Sequence, residues 1–286
     1  MHVSNEQISR VVVVRVLLVA DFGRGVMSSL GSDAGHVHGN FPRYYAFNPV
    51  EKRLSLLEGC EESPGLEAVL VEMGVGGEEG VSFVDVGSNS GDLSVGIGRW
   101  LADRMGVCVR GLGVELDGAL VERAKEMWKE EEEEVDGVEM TFVQTDLTDA
   151  EEKGWEAWLG EGGQADVVFC FGVTMWIHVH VGDEGLKAFI RRLCATAASL
   201  LVLEVHVWKN YQTCKKRLKR QKLPLPPALA SLPVRLDVED WVVSWITQRK
   251  EEGGCGMRLV ADLGRTNWNR PICVFAPPDT APRSEA

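Results

Sequence analysis

Val81-Ser82-Phe83-Val84-Asp85-Val86-Gly87-Ser88-Asn89-Ser90-Gly91-Asp92 is the stretch that decides how the chain folds. Val81 to Val86 is a short apolar run of the kind that makes a buried strand, and the residues after the turn, through Trp100, are spaced as a helix. Between them, Gly87 and Gly91 let the backbone turn tightly and approach a ligand with no Cβ in the way. Open α/β sheets bind their ligands beyond the carboxyl ends of the strands. A dinucleotide-binding turn would read G-x-G-x-x-G, whereas here Asn89 holds the middle position and Asp92 the last. Asp85 and Asp92 would also repel a pyrophosphate. A ligand with a positive amino-acid head and no phosphate fits better, which points to S-adenosylmethionine; the plain alternative is a tight βα turn with no ligand.

Outward from the turn the alternation repeats. Val107 to Val114 is a second strand closing in Glu115, Met140 to Val143 a third running into Gln144-Thr145-Asp146, Asp166 to Phe171 a fourth and Leu200 to Val205 a fifth. Helical segments separate them, from Asp117 to about Lys129, around Trp155 and Trp158, and from Asp183 to Ala198. Strands divided by helices need crossover connections, so the pattern predicts an α/β fold with a doubly wound, mostly parallel sheet. A basic helix, a Pro-rich stretch (Leu223 to Pro233) and a helix from Val238 to Gln248 follow. Two late β-like runs, Met257 to Leu263 and Pro271 to Phe275, predict an antiparallel edge hairpin and bring the sheet to seven strands. That ending is similar to the Rossmann-like sheet of class I S-adenosylmethionine-dependent methyltransferases. Upstream, Phe41, Tyr44, Tyr45 and Phe47 precede Pro49, after which Val50, Leu54 and Leu57 recur at helical spacing with Arg53 beside them, and Gly59 to Gly80 reads as a Glu- and Gly-rich loop. The domain is expected over residues 39–276, with a weakly ordered extension over 1–38 and a tail over 277–286.

The first three strands close in acids. Glu115 can accept both hydroxyls of a ribose, because an ionised carboxylate only accepts and has two oxygens to offer. Its near competitor Asp117 reads as the N-cap of the next helix. Asp146 is placed to accept from an adenine amino group. Each acid alone could be a cap or solvated; three in register, with Asp85, argue for a nucleoside. Gly172 to His180 reads as the loop after strand four, which in this topology lies beside the reactive methyl. Amino-methylating enzymes often carry Asn/Asp-Pro-Pro-Tyr/Phe there, and its lack here disfavours amide or base-nitrogen methylation. His178 and His180 have no third metal ligand nearby, so they read as hydrogen-bonding or core residues and no metal is expected.

The 286 residues are 45% apolar and 26% charged with a net charge of −13, which suits a soluble globular protein with one domain plus extensions. Val11 to Ala20 is far short of the roughly 20 apolar residues that span a bilayer and is broken by Arg15. With only Arg10 as a basic flank and no small-residue cleavage site at Leu18-Val19-Ala20, it is not expected to be an export signal. Seven scattered cysteines without a C-x-x-C pair argue for reduced thiols inside the cell, and a cytoplasmic monomer, or a nuclear one, is the expectation. The acidity is uneven. Residues 130 to 134 are five glutamates, a solvated helix end or loop, whereas Lys209 to Lys222 holds seven cations and no acid.

Gly39-Asn40-Phe41-Pro42-Arg43-Tyr44-Tyr45 with Arg53-Leu54, the turn from Asp85 to Ser94, and Val173-Thr174-Met175-Trp176-Ile177-His178 with Gly182-Asp183-Glu184-Gly185-Leu186 resemble the bicoid-interacting-protein-3 type of RNA 5′-phosphate methyltransferases. Glu204 to Trp208 and Asn267-Trp268-Asn269-Arg270 extend the resemblance, which spans about residues 39 to 275 in order. It implies an enzyme that uses S-adenosylmethionine to methylate an oxygen of a terminal phosphate on RNA. The methylphosphate-capping branch is expected to carry lysine where this chain has Met175, so the methionine points to the monophosphate branch, whose substrates include a tRNA and precursor microRNA. The resemblance further implies that Arg53 fixes the cofactor's carboxylate, with Asp85, Gly87, Asn89, Gly91, Glu115, Leu116, Asp146 and Leu147 as its other contacts. Tyr44, His178 and Lys209 would surround the phosphate, and Tyr45, Trp176, Lys215, Lys216 and Arg217 would meet the RNA. From the residues alone, Tyr44 reads equally as a hydrophobic staple, Arg53 as an exposed cation, Trp176 as core and the basic helix as a solvated face. The family's Glu-Pro-Gln-Pro-Trp is here Glu204-Val205-His206-Val207-Trp208, and its cysteine after the first glycine is Ser88. A methyltransferase of a small acid and an inert RNA-binding scaffold are the competing readings.

Overall fold

The computed structural model describes residues 38–59, 64–77, 79–148, 154–160, 162–233 and 236–278. Of the extension expected over 1–38, residues 1–37 lie outside the described residues, as do residues 279–286 of the tail expected over 277–286. Seven strands, β1 (Val81–Val86), β2 (Val109–Glu115), β3 (Val138–Gln144), β4 (Ala165–Cys170), β5 (Ala197–Glu204), β6 (Arg258–Arg265) and β7 (Pro271–Ala276), make one sheet in the order β3-β2-β1-β4-β5-β7-β6. The first five pair in parallel, and β7 runs antiparallel to both β5 and β6. The sheet is thus the doubly wound one that the alternation predicts, with its antiparallel edge.

Side chains alternate across the strands, and the two faces take different partners. Phe83, Phe169, Val202 and Val274 face one core layer, covered by the helices α2 (Glu51–Leu57), α3 (Leu66–Glu72), α4 (Asp92–Met105) and α5 (Gly118–Glu131), which follow the short turn α1 (Tyr44–Phe47). Val84, Leu112, Val168 and Leu201 face the other layer, under α6 (Glu156–Leu159), α7 (Thr174–Thr196) and α9 (Val238–Thr247). Phe83 and Phe169 meet edge to face at 5.8 Å, and full burial of each such side chain stabilises by about 1.5–3 kcal/mol. A smaller cluster joins Met175 and Val179 of α7 to Tyr211, Cys214 and Leu218 of α8 (Trp208–Arg220).

Two expectations are corrected. The stretch read as a loop from Gly59 to Gly80 contains α3, because Leu66, Val69 and Leu70 recur at helical spacing and are buried. The segment read as a loop from Gly172 to His180 is helical from Thr174, and α7 continues to Thr196 across one break at Gly182 (φ 71, ψ −169). Met175, His178 and Val179 occupy one face of that first half and are buried. The glutamate run closes α5 and adds a single 3₁₀ turn, Glu132–Glu134.

Candidate active site

The strand order reverses between β1 and β4, and the ends of those strands open a crevice of about 140 Å³. At its floor, the turn after β1 places Gly87 (φ 82), Asn89 (φ 52) and Gly91 (φ 84) in the left-handed region. The N–H groups of Gly87 and Ser88 donate to Val114 O on β2, at 2.8 and 3.0 Å, so this turn is stitched to the neighbouring strand. Asp85, only 2% exposed, accepts from Ser94 Oγ at 2.6 Å. Burial pushes its carboxyl up to about 6, against the opposing pull of the Ser94 bond and of Arg53.

Glu115 accepts from the N–H groups of Asn89 and Leu116 at 2.9 Å and of Asp117 at 3.1 Å. Three backbone bonds fix its orientation and still leave an acceptor position open; burial raises its pKa. Asp117 caps α5 by accepting from Ala119 N. Asp146 receives both the N–H and the hydroxyl of Thr148, and Leu116 and Leu147 line the wall between the two acids. Over this end lies the segment from His38 to Phe41. Asn40 Nδ2 donates to Asp117 at 2.9 Å, and Asn89 Nδ2 donates to Phe41 O at 3.2 Å. The carboxamide oxygens of Asn40 and Asn89 are buried and have no partner among the described residues, at a wall that would suit a cationic or hydroxyl-bearing ligand.

The opposite end is cationic. Arg53, 3% exposed, reaches Glu204 Oε2 through Nε (3.2 Å) and Nη2 (2.6 Å), and the same Nη2 donates to Tyr44 Oη at 2.9 Å. Arg270 reaches the other oxygen, Glu204 Oε1, at 3.0 Å and donates through Nε to Asn210 Oδ1 at 3.1 Å. Two guanidiniums therefore share one carboxylate, which leaves one positive charge in surplus at a wall that water barely reaches. Gly172 (φ 70) completes the opening: a Cβ there would lie 3.5 Å from Arg270, 3.7 Å from Tyr44 and 3.8 Å from Arg53, inside the space an anion would use. The donor set fits S-adenosylmethionine, with acids for the nucleoside, free carboxamide oxygens for the ammonium and surplus positive charge for the carboxylate.

Tyr44, Tyr45, Arg53, Asp85, Gly87, Asn89, Glu115, Leu116, Asp146, Leu147 and Trp176 come together along this crevice. Gly91 is not among the lining residues and stands at the N-cap of α4. Arg217 reaches the rim, its guanidinium 4.9 Å from the Phe41 ring and 5.7 Å from Trp176. His178 does not join them. It is fully buried, with Nδ1 2.9 Å from Tyr211 Oη, Nε2 2.8 Å from Asp183 Oδ1, and its ring stacked on Trp241. With both nitrogens engaged, it links the two halves of α7 to α8, and its expected place at the phosphate is corrected. Lys209, Lys215 and Lys216 lie along α8 away from the lining. Glu204, His206 and Arg270 carried no role in the sequence reading. Glu204 had a signal, since it closes β5 as Glu115 closes β2. Among the described residues no cluster of three His, Cys, Asp or Glu is arranged for a metal ion, and no helix is long and apolar enough to cross a membrane.

The family model for Bicoid-interacting protein 3 (Bin3) matches residues 165–276, from β4 to the end of β7. The RNA 5′-monophosphate methyltransferase of Mus musculus is 34% identical over 260 residues, 83% of this chain and 81% of that protein. The pre-miRNA 5′-monophosphate methyltransferase of Danio rerio is 32% identical over 252 residues, 83% and 91% of the two chains. Among solved structures, magnesium protoporphyrin IX methyltransferase from Synechocystis PCC 6803 aligns over 74% of this chain and 80% of its own, with 20% identity and a TM-score of 0.45. With relatives of 32% and 34% identity matched over most of their length and a family model matching residues 165–276, the chain belongs to the Bicoid-interacting protein 3 (Bin3) family and is a methyltransferase.

Proposed function

We propose that the chain transfers the methyl group of S-adenosylmethionine to an oxygen of the 5′-terminal monophosphate of a small RNA, of the tRNA or precursor-microRNA type. The names of its relatives support this substrate, and one observation carries it: Arg53 and Arg270 share Glu204 and leave a net positive charge at the end of the crevice.

S-adenosylmethionine, when bound, supplies an electrophilic methyl group on a cationic sulfur. Glu115 and Asp146 hold the nucleoside end, and Arg53, anchored on Glu204, holds the carboxylate. Arg270, the less buried of the two guanidiniums, and Tyr44 meet the phosphate. A phosphate monoester has a second pKa near 6 and carries about −1.5 to −2 charges at pH 7, so its oxygen is already a nucleophile. The protein has no proton to remove; its task is to hold that oxygen at about 3 to 3.5 Å from the reacting carbon and to exclude water. Arg217 and the cations of α8 lie where an RNA strand leaving the crevice would pass.

Incubation with tritiated S-adenosylmethionine and matched RNAs bearing 5′-hydroxyl, 5′-monophosphate or 5′-triphosphate ends tests the reading. Label is expected on the monophosphate RNA; equal label on all three would reject end-phosphate chemistry. Transfer to a small carboxylic acid with none to RNA would favour the small-acid enzyme.

A further inference from the structure

His206 lies two residues beyond the end of β5, between Val205 and Val207. Its ring is 1% exposed and lines the crevice with Arg270, Arg53, Tyr44 and Gly172. The Met175 N–H donates to His206 Nδ1 at 3.3 Å, and Thr174 Oγ1 stands 3.1 Å from the same atom while accepting from the His206 backbone N–H. A ring nitrogen that accepts from a backbone N–H carries no proton, so the neutral imidazole bears its proton on Nε2. Burial, reinforced by Arg270 and Arg53, holds the ring well below its ordinary pKa, so it stays neutral. Nε2–H has no partner among the described residues. The crevice that the ring lines is where a partner can come from.

We infer that His206 Nε2–H donates a hydrogen bond to a non-attacking oxygen of the RNA's terminal phosphate and so distinguishes a phosphorylated end from a hydroxyl end. The inference rests on the RNA-end reading above. Two features suit the ring to this task. It is held from behind by α7, so its donor is already oriented before the substrate arrives. It is also uncharged, so it binds an anionic oxygen without adding a third fixed cation that would draw electron density from the nucleophile. The valine-flanked imidazole offers one donor in one direction.

The test is the affinity of the full chain for two RNAs identical except for a 5′-monophosphate or 5′-hydroxyl end, measured in the presence of S-adenosylhomocysteine. Because a hydrogen bond to a charged group contributes about 1.5–3 kcal/mol, His206→Met should reduce the preference for the phosphorylated end by about ten- to hundredfold. Affinity for the hydroxyl RNA and for S-adenosylmethionine should be unchanged. His206→Gln, which fills similar space and restores an N–H, should recover most of the preference. This pair keeps the test informative if His206→Ala fails to fold. An unchanged preference in His206→Met overturns the inference, as does a loss of S-adenosylmethionine affinity instead, which would assign the ring to the cofactor. A wild-type chain that binds both ends equally overturns the RNA-end reading, and the role of His206 with it.

Discussion

Glu204 has no exposed surface, yet each of its oxygens bears a guanidinium. Removing one partner of a buried ion pair leaves an uncompensated charge, which costs about 3 to 5 kcal/mol. Glu204→Gln should therefore lower unfolding stability by about 3 kcal/mol, as read from urea denaturation, because two cations then face each other across a neutral amide. Asp85 shows the opposite economy. Its folded pKa of about 6 lies above the ordinary value near 4, so between those limits the folded state binds more protons than the unfolded one. Its contribution to stability therefore falls as pH rises from about 4 to about 6 and is flat above. Asp85→Asn should flatten that slope and raise the stability of the ligand-free protein above pH 6; an unchanged slope would mean that the carboxyl titrates normally. Glu115 and Asp146 were legible in the sequence because a strand's end is a local feature. Arg270 and His206 were not, since their place depends on Glu204 and on Thr174 and Met175, partners 66, 32 and 31 residues away.

Among the elements, α7 is where local pattern and tertiary packing part company. Val173 to His180 mixes β-branched and aromatic residues that favour extended backbone, and the sequence reading made it a loop. Burial of Met175, His178 and Val179 on one face makes it helix instead, and Gly182 breaks it where a left-handed residue is needed. His178 is a strut of this element. In His178→Ala the Tyr211 hydroxyl loses a buried partner and the two halves of α7 lose their link, so stability should drop by about 1 to 3 kcal/mol in denaturant titrations while turnover per folded molecule holds. A stable variant with turnover lost would return His178 to the chemistry. By contrast, β1 was read to the residue, because its apolar run ends in glycines that admit one turn. The helix α3 escaped notice because glycines and glutamates surround its seven residues and mask the spacing of Leu66, Val69 and Leu70.

The whole molecule carries a net charge of −13, which would repel RNA, while α8 turns Lys209, Lys216, Lys219 and Arg220 outward beside the rim formed by Arg217. Each phosphate contact on a single strand adds about 0.7 to the slope of log affinity against log salt. Reversing Lys215, Lys216, Lys219 and Arg220 to glutamate should weaken RNA binding and flatten that slope, with S-adenosylmethionine binding intact; an unaltered slope would make α8 a solvated face. Where the methyl group goes is read from the mass of the 5′-terminal nucleotide released by nuclease from RNA treated with the enzyme and S-adenosylmethionine. Transfer to the terminal phosphate yields a nucleoside monophosphate heavier by a methyl group that is lost with the phosphate. A methyl that stays on the base or ribose after the phosphate is removed would contradict it.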